Sequence, residues 1–328
     1  MTNFKQIFLS GCLAVALMVA ARAAETRGAV SAKVGALKIT VLSTMLADGD
    51  ELGEWGFAAL VEADGRRLLF DTGAKPEVVS KNLQTLNLAV GDVSDVVLSH
   101  WHSDHVGGLM TLRREVMAAS RPALERAHVA AGFFDSRRGT PPGVELNPMI
   151  RIKAEYAATG GQWEVHAKPV ELSPGVWLTG PVPRKYPERN WSGNTQVKAA
   201  DGWREDVIAD DLALVVDTAE GLVIVTGCGH AGVINIIEYA RAVVRPARVH
   251  ALIGGLHLFK ASEATLAWTA GKLREWGVDH FMGCHCTGIE TVYRFRGELG
   301  LDRTHCVVGA VGAGFELGRG LDPRVIAR

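Results

Sequence analysis

Three histidines and an aspartate crowd into six positions, His100-Trp101-His102-Ser103-Asp104-His105, and no other stretch constrains the chain as strongly. The stretch follows Val96-Val97-Leu98, which reads as the end of a buried strand, and precedes Gly107-Gly108, which opens a helix. His100 and His102 are two apart, so on extended backbone both rings project to one side and can grip one cation. Asp104 and His105 lie past the strand end, where the chain turns, and can reach a second cation. Two ions held together can supply a hydroxide and polarise the bond it attacks. The competing reading is a histidine-rich solvated loop. Four ligand-type residues placed between a strand and two glycines argue against it.

The stretch resembles the signature of the metallo-β-lactamase superfamily, and Leu68-Leu69-Phe70-Asp71-Thr72-Gly73 resembles that superfamily's strand followed by an Asp-Thr-Gly turn. Glu54-Trp55-Gly56-Phe57, Thr179-Gly180-Pro181-Val182-Pro183-Arg184, Thr226-Gly227-Cys228-Gly229-His230-Ala231-Gly232, Gly254-Gly255-Leu256-His257-Leu258 and Gly283-Cys284-His285-Cys286-Thr287-Gly288 narrow the likeness. Together they are similar to the branch of metal-dependent hydrolases related to dihydropterin-ribofuranosylaminobenzene-phosphate synthase. The likeness runs from about residue 37 to the C-terminus.

The resemblance implies an α/β fold, a four-layer αββα sandwich of two similar halves whose strand-end loops meet at one edge. It implies two divalent ions, zinc first, with manganese or iron as alternatives. In that scheme His100, His102 and His230 hold one ion, and Asp104, His105 and His285 hold the other. Asp104 also orients the nucleophile. Arg184 is a candidate for neutralising an anionic group of the substrate, with an ordinary surface arginine as the equal alternative. His257 is carried as a catalytic candidate or substrate contact, against a core or supporting role suggested by its apolar neighbours Leu256, Leu258 and Phe259.

One departure from the superfamily pattern stands out. Most dinuclear members supply a histidine before the second hairpin and a bridging aspartate at its end, where this chain has Cys228 and then His230. The carboxylate bridge is therefore absent or comes from Asp210 or Asp211. Cys228 itself is open as a thiolate ligand or as a small buried residue.

The rest of the chain supplies the framework. Residues 1–23 read as a secretory signal with an apolar run from Ile7 to Ala20 and an Ala-x-Ala cleavage site ending at Ala23; residues 24–36 read as a flexible lead-in, and 37–328 as one hydrolase domain. An alternating strand begins at Leu37, and two hairpins turn at Asp64-Gly65 and Glu220-Gly221. Helical periodicity covers Pro76–Leu88 and the segment after Gly108. Strand-loop-helix units end at His230, His257 and His285, while residues 118–205 read as a loop-rich insertion beside the site. Asp71 reads as a structural turn residue, and His128, His166, His250, His280 and His305 as structural.

Five cysteines are present, and Cys12 leaves with the signal. The spacing of Cys284 and Cys286 around a histidine favours site chemistry over a disulfide framework, with a bond from Cys306 to Cys228 or Cys284 left open. A net charge of −1 gives no field to recruit nucleic acid. The composite expectation is a periplasmic or secreted hydrolase. It directs a metal-bound hydroxide at an ester-type bond, first a phosphoester, of a small anionic substrate. No membrane span remains once the signal is removed, and a homodimer is left open. A lactonase or carboxylester hydrolase, or a non-catalytic periplasmic metal- or ligand-binding protein on the same fold, are the alternatives. The synthase reaction of the branch does not transfer readily, because its pterin chemistry belongs in the cytoplasm.

Overall fold

Asp64 and Gly65 both take positive φ, 47° and 80°, the backbone of a tight hairpin whose twist suits its flanking strands. The computed structural model describes residues 32–119 and 123–327. The signal segment 1–23 and most of the 24–36 lead-in lie outside the described residues.

In chain order the first half contributes β1 (Leu37–Ser43), β2 (Ala58–Ala63), β3 (Arg66–Phe70), β4 (Asp95–Val97) and β5 (Arg126–Ala130). The segment expected to be loop-rich adds β6 (Arg137–Gly139), a helix Met149–Ala158, β7 (Gln162–His166), β8 (Val170–Ser173), β9 (Val176–Leu178), β10 (Thr195–Ala199) and β11 (Gly202–Glu205). The second half supplies β12 (Ala213–Thr218), β13 (Gly221–Thr226), β14 (Val249–Gly254), β15 (His280–Gly283) and β16 (Cys306–Val308). The chain ends with β17 (Gly314–Glu316) and β18 (Gly320–Asp322), which return to the first sheet.

One sheet runs β18-β17-β1-β2-β3-β4-β5-β7 and the other β16-β15-β14-β13-β12-β9-β8, while β6, β10 and β11 form a small third sheet. Side chains divide by strand alternation. Val61, Phe70, Leu214, Val216, Val223, Val225 and Ile253 meet in the core between the two large sheets. Their neighbours Leu60 and Leu69 face the helices Val78–Thr85 and Leu109–Ala118, and Val215, Ile224 and Leu252 face the helices Val233–Val243 and Glu263–Glu275. Three apolar cores between four layers explain why the central strands are apolar on both faces. Among the described residues no helix is long and apolar enough to cross a membrane.

The insertion is thus more regular than its sequence suggests. β5 and β7 pair in parallel and complete the first sheet. β7 escapes a pattern reading because it is an edge strand whose side chains are all partly or fully exposed, so no apolar face marks it.

Parallel register is what builds the site. Phe70 lies opposite Val97, and Thr226, Gly254 and Gly283 lie side by side, so five strands end at one edge. Each then releases its next residues, Asp71, Ser99-His100, Cys228, His257 and His285, toward the same place.

Candidate metal centre

Asp71 is the first element of the site to be fixed. It leaves β3 at φ 57° and is fully buried. Its Oδ1 accepts the Ser99 N–H at 2.7 Å, and its Oδ2 accepts the Ser99 hydroxyl at 2.7 Å and faces His105 Nδ1 at 2.7 Å. A carboxylate there holds the proton of His105 on Nδ1 and leaves Nε2 free to ligate. Burial pulls the His105 imidazole down, but Asp71 and Asp104 outweigh it and hold its pKa above the ordinary value. The glycine pair serves the same turn: a Cβ on Gly107 would stand 1.9 Å from the Ala74 carbonyl oxygen.

Past the end of β4, His100 and His102 bring His100 Nε2 and His102 Nδ1 to 2.9 Å. The rings of His100, His102 and His230 converge pairwise, with centroids 4.6, 4.7 and 5.0 Å apart. Burial pushes His100 and His230 well below the usual imidazole value and His102 to about 3, so all three are neutral at neutral pH and free to ligate. His230 turns Nδ1 to the Asn190 carbonyl, and its buried Nε2 has no hydrogen-bond partner.

The second set gathers beside the first. Asp104, His105, Cys228 and His285 each place a ligand atom within 4.8 Å of the others. His285 takes φ 46°, and its Nε2 lies 3.2 Å from Asp104 Oδ2, yet neither ring nitrogen has a hydrogen-bonded partner. Burial favours protonation of Asp104, but His105 and His285 override it and hold the carboxyl below the usual range. His257, at φ 50°, also has a buried Nδ1 without a partner, and its ring lies 4.6 Å from that of His230. Positive φ on three non-glycine residues at one site is the backbone strain that functional sites store.

Buried imidazole nitrogens without partners cost free energy unless something satisfies them. A divalent cation does so, and the mixed nitrogen, oxygen and sulfur donors fit one. The six residues expected as ligands are therefore brought together.

Three points that the sequence leaves open take a definite geometry. Arg184 gives its guanidinium to the backbone: it donates to the carbonyl oxygens of His230 at 2.6 Å, Ile208 at 3.3 Å and Val207, and packs over Trp191. It braces the His230 loop. Asp210 accepts from Arg137 and from the Trp101 N–H, and Asp211 from the Ala231 N–H; neither belongs to a ligand cluster among the described residues. The four cysteines at 228, 284, 286 and 306 are free thiols, and the close pair is Cys228 with Cys286, Sγ to Sγ 3.2 Å.

Other features surround the ligand clusters. Trp55, 48 % exposed, sets its ring edge-on to His285 and Phe259 at the mouth. A cleft of about 860 Å³ opens beside His257, lined by Trp191, Phe259, Lys260 and Trp268 among others. Glu188 accepts the Ile234 and Asn235 N–H groups at the start of the helix Val233–Val243, and burial raises its pKa from 4.5 to about 7. A carboxyl raised on folding stabilises fully below its unfolded value, and that contribution is lost as pH rises through the folded one. The stability of wild type relative to Glu188→Gln should therefore fall between pH 4.5 and about 7, read from urea midpoints of the two proteins across that range.

The Metallo-beta-lactamase superfamily domain matches residues 56–244. The chain belongs to that superfamily. A curated relative, the 7,8-dihydropterin-6-methyl-4-(beta-D-ribofuranosyl)-aminobenzene-5'-phosphate synthase of Methanocaldococcus jannaschii, is 28% identical over 255 residues, 74% of this chain and 83% of the relative. The solved structure of Tm1679, a metal-dependent hydrolase of the beta-lactamase superfamily, is 28% identical with a TM-score of 0.66, covering 80% of this chain and 93% of that one. Zinc-bound PqqB from Methylobacterium extorquens, at 13% identity and a TM-score of 0.51 over 84% of this chain and 99% of its own, shares the fold alone. Proteins of this superfamily bind metal ions, and the ligand clusters lie where the strand-end loops meet.

Proposed function

We propose that the protein is an exported metal-dependent hydrolase that cleaves an ester-type bond, first a phosphoester, in a small anionic substrate. The observation that carries the reading is the convergence of His100, His102, His230, Asp104, His105 and His285 at one edge, with the buried Nε2 of His230 left without a hydrogen-bond partner. Two divalent ions held by these residues, zinc first, would supply a nucleophile at neutral pH and polarise the bond under attack.

The chain's own groups do the rest. Asp104, 22 % exposed and held ionised by His105 and His285, faces the open side and can orient the attacking water by accepting its hydrogen bond. His257 sits between the ligand cluster and the cleft, within reach of a substrate lying there. Lys260 supplies a cation to that cleft, and Trp191 and Trp268 supply apolar walls. Export rests on the signal-like residues 1–23, and it separates this chain from the cytoplasmic setting of a pterin synthase.

The test uses the mature protein recovered from the exported fraction, whose first residue should be Ala24. It should hydrolyse a generic aryl phosphodiester when metal-loaded and lose that turnover on chelation. Turnover that survives complete metal removal would sink the reading. Metal-dependent turnover confined to lactones or carboxylesters would keep the hydrolase and discard the phosphoester.

A further inference from the structure

We infer that Cys228 is a thiolate shared between the two ligand sets as a metal bridge, and that Cys286 positions it. The inference rests on the two-ion reading of the site. Cys228 is 2 % exposed, directly past the end of β13. Gly227 lets that strand end close on the metal loop, since a Cβ there would stand 2.0 Å from Ser99 Oγ. The close approach delivers Cys228 Sγ to 3.1 Å from His105 Nε2.

Its position between the two ligand sets is the decisive geometry. Cys228 Sγ clusters within 4.8 Å of His100 and His230 on one side, and of Asp104, His105 and His285 on the other. Asp104 also touches both sets, clustering with His100 and His102 as well as with His105 and His285, but it lies on the exposed face. Cys228 closes the buried floor. Asp210 and Asp211, the carboxylates that the sequence offers as an alternative bridge, are turned to Arg137 and to the Ala231 N–H. The buried His230 Nε2, which has no hydrogen-bond partner, and His285 belong to the two clusters that Cys228 joins.

Cys286 completes the arrangement from behind. Its sulfur accepts the His257 N–H at 3.3 Å, and its S–H donates to Cys228 Sγ at 3.2 Å. It shares a cluster with Cys228 and His257 but with neither ligand set. Cys284, by contrast, turns its sulfur toward the Met282 carbonyl in the core between the sheets. On metal binding the Cys228 thiol gives its proton to solvent and its sulfur lone pairs to the ions. A soft bridging donor selects zinc, cobalt or iron over magnesium and manganese.

Cobalt(II) reports this directly. The full chain loaded with cobalt should bind two ions and show a near-ultraviolet sulfur-to-cobalt charge-transfer band. Cys228→Ser should abolish the band and reduce bound cobalt from two ions to one. Cys286→Ser should retain the band at a shifted position, and Cys228→Asp should restore the second ion without it. Folding of each variant is checked by circular dichroism before loading. A wild type that binds a single cobalt overturns the two-ion reading and the bridge with it. Two bound cobalt ions without the band, or with a band that survives in Cys228→Ser, overturn the bridge alone.

Discussion

Replacing His102 by Ala should remove at least one of the two ions and bring turnover to background while leaving the apo protein folded. The separation follows from where the ring stands. His102 is partly exposed at the rim of the site, and its ring contacts are the edge of Trp101 at 4.5 Å and the neighbouring imidazoles of His100 and His230. Truncation opens no enclosed cavity but takes away the 2.9 Å partner of the buried His100 Nε2, so the apo thermal midpoint should fall by the equivalent of about 0.5–1.5 kcal/mol. The metal loses a neutral nitrogen donor. Loss of an outer partner of a ligand costs roughly 10–100-fold in affinity or activity, and loss of the ligand itself should exceed that. Bound metal by mass spectrometry, aryl phosphodiester turnover and the apo melting curve are measured side by side. Full metal content and turnover in the variant would remove His102 from the site and, with it, the paired-histidine logic of the metal loop.

The parts of this molecule that sequence exposes are those governed by local periodicity. Val96-Val97-Leu98 before a His-x-His pattern marks a buried strand feeding a loop, and the structure buries all three residues there. The hairpin at Asp64-Gly65 is legible because only a few residue types accept two successive positive φ values. Edge strands such as β7 and β8 carry no such mark, because a strand with one edge and one face in water need not alternate cleanly.

Side-chain destinations are harder still to read. Arg184 follows Pro-Val-Pro at the site's margin, where an anion contact and a surface position looked equally reasonable, and its guanidinium instead caps backbone carbonyls from two other loops. Nothing local encodes that choice. Cys228 and Cys286 meet although 58 residues apart, through the side-by-side register of Thr226, Gly254 and Gly283. Only tertiary pairing makes a flanking cysteine of one motif the neighbour of another's.

Asp71→Asn is expected to cost more stability than His102→Ala, and metal affinity besides. The carboxylate is fully buried and serves three groups at 2.7 Å, the Ser99 N–H, the Ser99 hydroxyl and His105 Nδ1. An amide keeps only one accepting oxygen. If that oxygen faces the Ser99 N–H, the new NH₂ points at His105 Nδ1; if the amide flips, the Ser99 N–H loses its acceptor. One buried donor is left unsatisfied either way, a cost of about 1–3 kcal/mol. In the first arrangement His105 can escape by moving its proton to Nε2, the atom that otherwise ligates, so the strain is relieved at the expense of the metal. Affinity should then fall by roughly 10–100-fold, the range for losing a carboxylate that orients a ligating histidine. Apo thermal unfolding and a zinc dissociation constant by chelator competition separate the two effects, and Ser99→Ala, which removes only the hydroxyl, should show a smaller loss in each. Zinc affinity unchanged in Asp71→Asn would mean that His105 does not ligate through Nε2, and the second ligand set would have to be redrawn without it.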